Sequence, residues 1–380
     1  MVKQSARDLK TMPADNELWP AWLPIRSELR ELKPYGAPQI ANVIHLNTNE
    51  NPFELPKAVA EALRARIEVI ASSLNRYPDR DAVELRTDLA SYINLAAGTD
   101  FDLNNVWAAN GSNEILQTLL LACGGVDSLV LGFTPSYSVH PLIAKITGTP
   151  WKSGSRNADF TLDAPAAVLE ISAIAPALVF ITTPNNPTGN ALAINEIREL
   201  AIAALNVGAL LVVDEAYQEF SNELSAVTLI SEFPNIVVTR TMSKAFAFAG
   251  ARVGYLIARP EVIDGMLIAR LPYHLSSLTQ AAAQVALKHQ SELQAEVQIL
   301  IAERNRIAAA IIALGLSVIP SSANFLLFTG FRKSAELLWQ EFLDGGVLIR
   351  DVGLPGYLRV TVGTAAENDH FLALLQRLAP

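Results

Sequence analysis

Short unbroken apolar runs alternate with stretches in which apolar residues recur every three or four positions. The runs are 104–109, Ser128–Leu131, Leu178–Thr182, Ala209–Val213, Asn235–Arg240 and Val253–Ala258. They have strand length and lack a polar alternate, which predicts strands buried on both faces. Between them lie helical periods: Val59, Leu63, Ile67 and Ile70 within 56–71, then 82–94, then Ile115, Leu116, Leu119 and Leu120, then 194–204. Strands interleaved with helices predict an α/β fold with a sheet covered on both sides.

From about Thr279 the pattern changes. A long helix runs through Arg304 to Leu314, and strands are expected at Leu316–Ile319, Asn324–Phe328, Val347–Arg350 and Tyr357–Val362, with helices at Ser334–Leu343 and Glu367–Leu378. These elements predict a smaller α+β domain. The first thirty or so residues are polar, with prolines at 13, 20 and 24, and read as an arm.

The chain has 380 residues, enough for two domains, and 51% of them are hydrophobic. No apolar run is long enough to predict a membrane-spanning helix. The N-terminus mixes charges and has no apolar core of a secretory signal. The single cysteine, Cys123, excludes an internal disulfide, and the net charge of −9 argues against nucleic-acid binding. The five histidines have no metal-ligand spacing, so no metal site is expected. A cytoplasmic location fits these features.

Chemistry concentrates just past the predicted strand ends, where open α/β sheets bind ligands. Lys244 stands in Thr241-Met-Ser-Lys-Ala-Phe246, with Arg252 eight residues on, and Asp214 ends the run Leu210-Leu-Val-Val-Asp. A lone lysine is usually a solvated surface group. Here the preceding strand, Ser243 and Arg252 together fit pyridoxal phosphate, whose aldehyde needs an amine, whose ring nitrogen needs a carboxylate and whose phosphate needs hydroxyls and a cation. The same lysine can move a proton between carbons if its amine is neutral, which burial and nearby cations favour.

Asp214 at a buried strand end needs a partner, and a protonated ring nitrogen is one; a helix cap or a structural ion pair is another. Tyr217 could bond the ring oxygen or simply pack. Asn186, in Thr183-Pro-Asn-Asn-Pro-Thr-Gly189, is a turn residue by itself and an amide donor to the phenolic oxygen in the functional reading. Gly111-Ser112-Asn113 links a strand to a helix start and, with Ser243 and Arg252, could cradle the phosphate. Tyr137 could stack on the ring or belong to the core. Arg350 and Arg359 could each grip a carboxylate or phosphate, or form a surface ion pair.

Taken in order, Leu32-Lys-Pro-Tyr35, Leu46-Asn-Thr-Asn-Glu-Asn-Pro52, Asn75-Arg-Tyr-Pro78, Asn110-Gly-Ser-Asn-Glu114, the 183–189 turn, Val213-Asp-Glu-Ala-Tyr217, the lysine segment, Leu271-Pro-Tyr-His-Leu-Ser276, Leu348-Ile-Arg-Asp351 and Leu358-Arg-Val-Thr-Val-Gly363 resemble the fold-type I pyridoxal-phosphate aminotransferases. Within them they look most like the branch that acts on histidinol phosphate. The resemblance implies an arm over 1–30, the N-terminal part of a small domain over 31–58, a large cofactor domain with a mixed, mostly parallel sheet over 59–278, and a C-terminal small domain over 279–380.

It also implies residue roles. Lys244 holds the cofactor, Asp214 pairs with its nitrogen, Asn186 and Tyr217 bind its phenolic oxygen, and Tyr137 stacks on its ring. Ser112 and Asn113 backbone groups, Ser243 and Arg252 bind its phosphate. Tyr77 reaches the phosphate across a homodimer interface. Arg359 takes the substrate carboxylate; Arg350, Tyr35 and the partner's Tyr273 surround the substrate phosphate, and Asn113 bears on substrate choice. The implied substrates are histidinol phosphate and the pair glutamate and 2-oxoglutarate. Tyr35-Gly-Ala-Pro38 departs from the serine-alanine-arginine run common in the family, so the pocket entrance is expected to differ. An aromatic amino-acid aminotransferase and a decarboxylase of the same superfamily share the cofactor residues and are the alternatives.

Overall fold

The structure, a computed structural model, describes residues 19, 20 and 22–378. Most of the expected N-terminal arm therefore lies outside the described residues. Residues 1–36 and 37–380 are two separate units. The described part of the first contains the short turn Ser27–Leu29, and the Trp19 indole N–H donates to the Arg30 carbonyl at 3.1 Å.

In the second unit the strands are β1 (Ile44–His45), β2 (Val106–Ala109), β3 (Val130–Thr134), β4 (Trp151–Ser155), β5 (Leu178–Thr182), β6 (Leu210–Asp214), β7 (Ile236–Thr241), β8 (Gly254–Ile257), β9 (Ser317–Val318), β10 (Phe325–Thr329), β11 (Val347–Leu348) and β12 (Leu358–Thr361). Seven form one sheet in the order β2-β8-β7-β6-β5-β3-β4. It is mixed: β4, β3, β5, β6 and β7 run parallel, and β8 is antiparallel to both of its neighbours.

The doubly buried reading of the apolar runs is borne out residue by residue. Leu131, Val179, Ile181, Leu211, Val213 and Val238 pack into one core. Their alternates Val130, Leu178, Phe180, Val212 and Val237 pack into a second core with Ile115, Leu116, Leu119 and Leu120 of the helix Ser112–Cys123. Each strand thus seals two helical layers, and its polar ends collect where the parallel strands finish.

Beyond this sheet, β12-β10-β9 form a three-stranded antiparallel sheet and β1 pairs in parallel with β11. Helices Ser277–Lys288 and Gln290–Ala313 connect the two regions of chain, meeting at His289. No described helix is long and apolar enough to cross a membrane.

Candidate active site

β6 delivers Asp214 to the end of the sheet as its last residue, and the residue is 2% exposed. A carboxylate that deep must be compensated. His140 Nε2 lies 2.9 Å from Asp214 Oδ2, and the Ala216 backbone N–H donates to Oδ1 at 3.2 Å. The His140 ring in turn meets the Tyr137 ring edge-on at 5.3 Å. Tyr137, His140 and Asp214 therefore form one connected group. His140 had no visible signal in the sequence, because only folding brings the helix Val139–Thr147 against the end of β6.

The strand β7 ends at Thr241, and Lys244 follows in the tight turn after it. Its Nζ donates to the Thr48 carbonyl at 2.9 Å. Burial, with Arg359 and Arg252 nearby and Glu50 opposing them, lowers the Lys244 ammonium to about 8. About a tenth of this amine is thus neutral at pH 7, far more than for an ordinary lysine, and the neutral form is the one that can act as nucleophile or base.

Tyr217 is buried and its hydroxyl receives two amide donors, Asn49 Nδ2 at 2.8 Å and Asn186 Nδ2 at 3.3 Å. Asn186 Oδ1 accepts from Arg359 Nη1 at 2.5 Å. Arg359 also donates through Nη2 to the Asn47 carbonyl at 2.8 Å and sits over the Phe325 ring at 5.0 Å. Arg350 and Arg359 face each other across an antiparallel bridge, exchanging both backbone hydrogen bonds at 2.9 Å. The buried Arg359 is thereby a member of the cluster rather than a surface ion pair.

Three consecutive residues tie the cluster together: Asn47 holds Arg359, Thr48 holds Lys244, and Asn49 holds Tyr217. The sequence marks this segment as turn-rich, and two of the three contacts are made through backbone carbonyls, which any residue type supplies.

The Gly111 turn ends β2 and starts the helix Ser112–Cys123, leaving the N–H groups of its first turn directed outward. Gly111 has φ +82°, and a Cβ there would come within 2.5 Å of Arg252 Nη2. Gly254 is under the same constraint: its Cβ would meet the Ser112 backbone nitrogen at 2.3 Å. Arg252 Nη1 donates to Ser243 Oγ at 3.3 Å. Two glycines thus let a guanidinium, a hydroxyl and a helix N-terminus converge, a cradle suited to a dianion. The amine, the buried carboxylate, the paired donors at Tyr217 and this cradle together fit pyridoxal phosphate.

Next to Asp214, the carboxylate of Glu215 takes two donors from Arg240, at 3.0 and 2.8 Å, one from Ser225 Oγ at 2.7 Å and one from the Ala226 N–H at 2.7 Å. This buried ion pair fastens β6 to β7 beneath the site.

Tyr77 and Tyr273 are exposed and stack on each other, with ring centroids 4.4 Å apart. Tyr35 belongs to the first unit and is about half exposed. Asn113 lies in the first turn of the helix at the cradle.

Comparisons with known proteins bear on the family and the fold. The family described as aminotransferase class I and II matches residues 41–375. A histidinol-phosphate aminotransferase of Mycolicibacterium vanbaalenii is 54% identical over 358 residues, covering 94% of this chain and 96% of that protein. One from Nocardia farcinica is also 54% identical, covering 94% and 92%. The histidinol-phosphate aminotransferase of Sinorhizobium meliloti, solved in complex with pyridoxal-5'-phosphate, shares the fold with a TM-score of 0.79 at 24% identity, over 88% of this chain and 90% of that one. With a family match over most of its length, this chain belongs to the class I and II aminotransferases.

Proposed function

We propose that this chain is a pyridoxal-phosphate-dependent aminotransferase of histidine biosynthesis. It moves the amino group between L-histidinol phosphate and 2-oxoglutarate, giving imidazole acetol phosphate and glutamate. The observation that carries the reading is the convergence of Lys244, the His140–Asp214 pair, the Asn186–Tyr217–Arg359 group and the Gly111–Arg252 cradle. The substrate is argued from relatives of that name at 54% identity.

When bound, the cofactor supplies an aldehyde that takes up amines and a ring that draws electrons from the donor carbon. Lys244 Nζ would anchor it, and the neutral amine would serve as the base for the proton on the carbon bearing the substrate's amine. Asp214 holds the ring nitrogen protonated, and His140 keeps the carboxylate oriented. Tyr217 and Asn186 donate to the phenolic oxygen, and Tyr137 covers the ring. Ser112 and Asn113 N–H groups, Ser243 and Arg252 hold the phosphate.

Arg359 receives the carboxylate of glutamate; its fork suits that group in two-point contact. Arg350 and Tyr273 receive the phosphate of histidinol phosphate, and Asn113 influences the choice of donor. The protein works as a cytoplasmic homodimer in which Tyr77 and Tyr273 serve the partner's site. Its domains are an arm over 1–30, a cofactor domain over 59–278, and a small domain from 31–58 and 279–380.

Amine transfer to 2-oxoglutarate, with histidinol phosphate and phenylalanine as competing donors, tests the assignment. Strong preference for histidinol phosphate is expected. Preference for phenylalanine would overturn the substrate and leave the cofactor residues standing.

A further inference from the structure

Tyr77 and Tyr273 come from distant parts of the chain, yet their rings lie nearly parallel, with an interplanar angle of 20°. Tyr77 is 80% exposed and Tyr273 42%. Two exposed aromatic rings on loops gain little from stacking alone and lose side-chain freedom. Something beneath must hold the loops in register.

The holding group is Arg270, three residues before Tyr273. Its Nη2 donates to Asp81 Oδ1 at 2.6 Å and its Nη1 to the Arg80 carbonyl at 2.5 Å. The Arg270 side chain is 8% exposed, so the fork is largely shielded from solvent. Arg80 grips the same Asp81 carboxylate from the other side, with Nη2 at 2.7 Å from Oδ2. Asp79 completes the turn, accepting from the backbone N–H of Asp81 at 3.0 Å and of Val83 at 2.8 Å. Gln280 Nε2 bridges the carbonyls of Asp79 and Leu275, both at 2.9 Å. Asn110 Nδ2 donates to the His274 carbonyl at 2.8 Å, which ties the second loop to the strand end before the Gly111 cradle. Tyr273 itself has φ +55°, a conformation that a tyrosine holds only where its surroundings fix it.

We propose that Arg270 and Asp81 form a positioning pair that presents Tyr77 and Tyr273 as a single rigid unit, and so sets the affinity for the phosphorylated donor. The inference rests on the reading that Tyr273 meets the substrate phosphate. A hydroxyl on a loose loop gives up part of its hydrogen bond to the cost of ordering that loop, and a fixed one does not. The unphosphorylated donor, glutamate, makes no use of that hydroxyl and is indifferent to the pair.

The test compares Arg270→Gln, Arg270→Lys and Asp81→Asn with the parent protein at saturating cofactor, measuring KM and kcat for histidinol phosphate and for glutamate separately. KM for histidinol phosphate is expected to rise about tenfold, the scale of one hydrogen bond to a charged group. KM for glutamate and both kcat values should stay within about twofold. Lysine should not rescue, because a single ammonium lacks the guanidinium's fixed fork for the two acceptors. The pair borders an open cleft of about 630 Å³, so water can solvate the group left behind and the variants should fold. If Arg270→Gln does not, Arg270→Lys and Asp81→Asn supply the same measurement. An equal rise for both donors, or none for either, overturns the positioning role. Tyr273→Phe is measured alongside: no change in its KM for histidinol phosphate would remove the underlying reading instead.

Discussion

At the scale of single residues, the site depends on two ionisable groups held away from water. Lys244 is lowered to about 8 from an ordinary value of 10.5, chiefly by burial and then by Arg359. For a base with a lowered folded value, the unfolded chain binds the extra proton between those two limits. Stability of the cofactor-free protein should therefore rise with pH across that window, by at most about 1.4 kcal/mol per pH unit. The penalty is fully present below about 8 and is gone above 10.5. Urea denaturation of the cofactor-free parent and of Lys244→Met at the two ends of the window checks this; a parallel pH dependence in both proteins would refute it. Turnover should vanish in Lys244→Ala. Asp214→Asn keeps the shape but not the charge, and should slow turnover by about 10²–10⁴-fold; an unchanged rate would make Asp214 a structural residue. The sequence made both groups visible because Asp214 ends an apolar run and Lys244 stands a few residues past another. It hid His140, whose contact with Asp214 spans 74 positions and leaves no local pattern.

At the scale of elements, the parallel strands were legible because burial on both faces forces unbroken apolar runs. β4 was not: Trp151-Lys-Ser-Gly-Ser is polar, and at the sheet edge it has a neighbour on one side only. The helix Ala164–Ile174 was also missed, since its apolar residues occupy nearly every position and give no clear period. The two-residue strands β1 and β11 are too short to carry any pattern. Least legible was the working part of residues 47–49, which act through carbonyls as much as through side chains. Asn49 is the exception and can be tested. It is 2% exposed, donates to Tyr217 at 2.8 Å and accepts from Thr361 Oγ1 at 3.0 Å. Asn49→Ala should cost about 1–3 kcal/mol of stability, the range for orphaning buried partners. If Tyr217 serves the cofactor as proposed, the substitution should also lower kcat/KM for both donors alike. A drop confined to one donor would contradict that role.

At the scale of the whole molecule, the question is whether one chain holds a complete site. Tyr77 and Tyr273 stack on each other in the open, and no described hydrogen bond joins them to Lys244 or the Gly111 cradle. If they act on the partner, the defects of two chains should complement. Consider Lys244→Ala, whose own site is dead, mixed with Tyr77→Ala, whose lysine is intact. In the heterodimer, the site with the intact lysine receives its tyrosine from the Lys244→Ala chain and is whole, while the other site carries both lesions. Co-expression with two affinity tags and random pairing gives heterodimers in about half the population, so about a quarter of all sites should be fully competent. Tandem-purified heterodimers should then approach half of the parental rate per dimer, about one good site in two. A tyrosine serving its own chain predicts the opposite: one site lacks the lysine, the other lacks the tyrosine, and the heterodimer works no better than the average of its parents. Because both arms use the same two substitutions, a general loss of stability would lower activity in either case, and only exchange across the interface can raise it above that average.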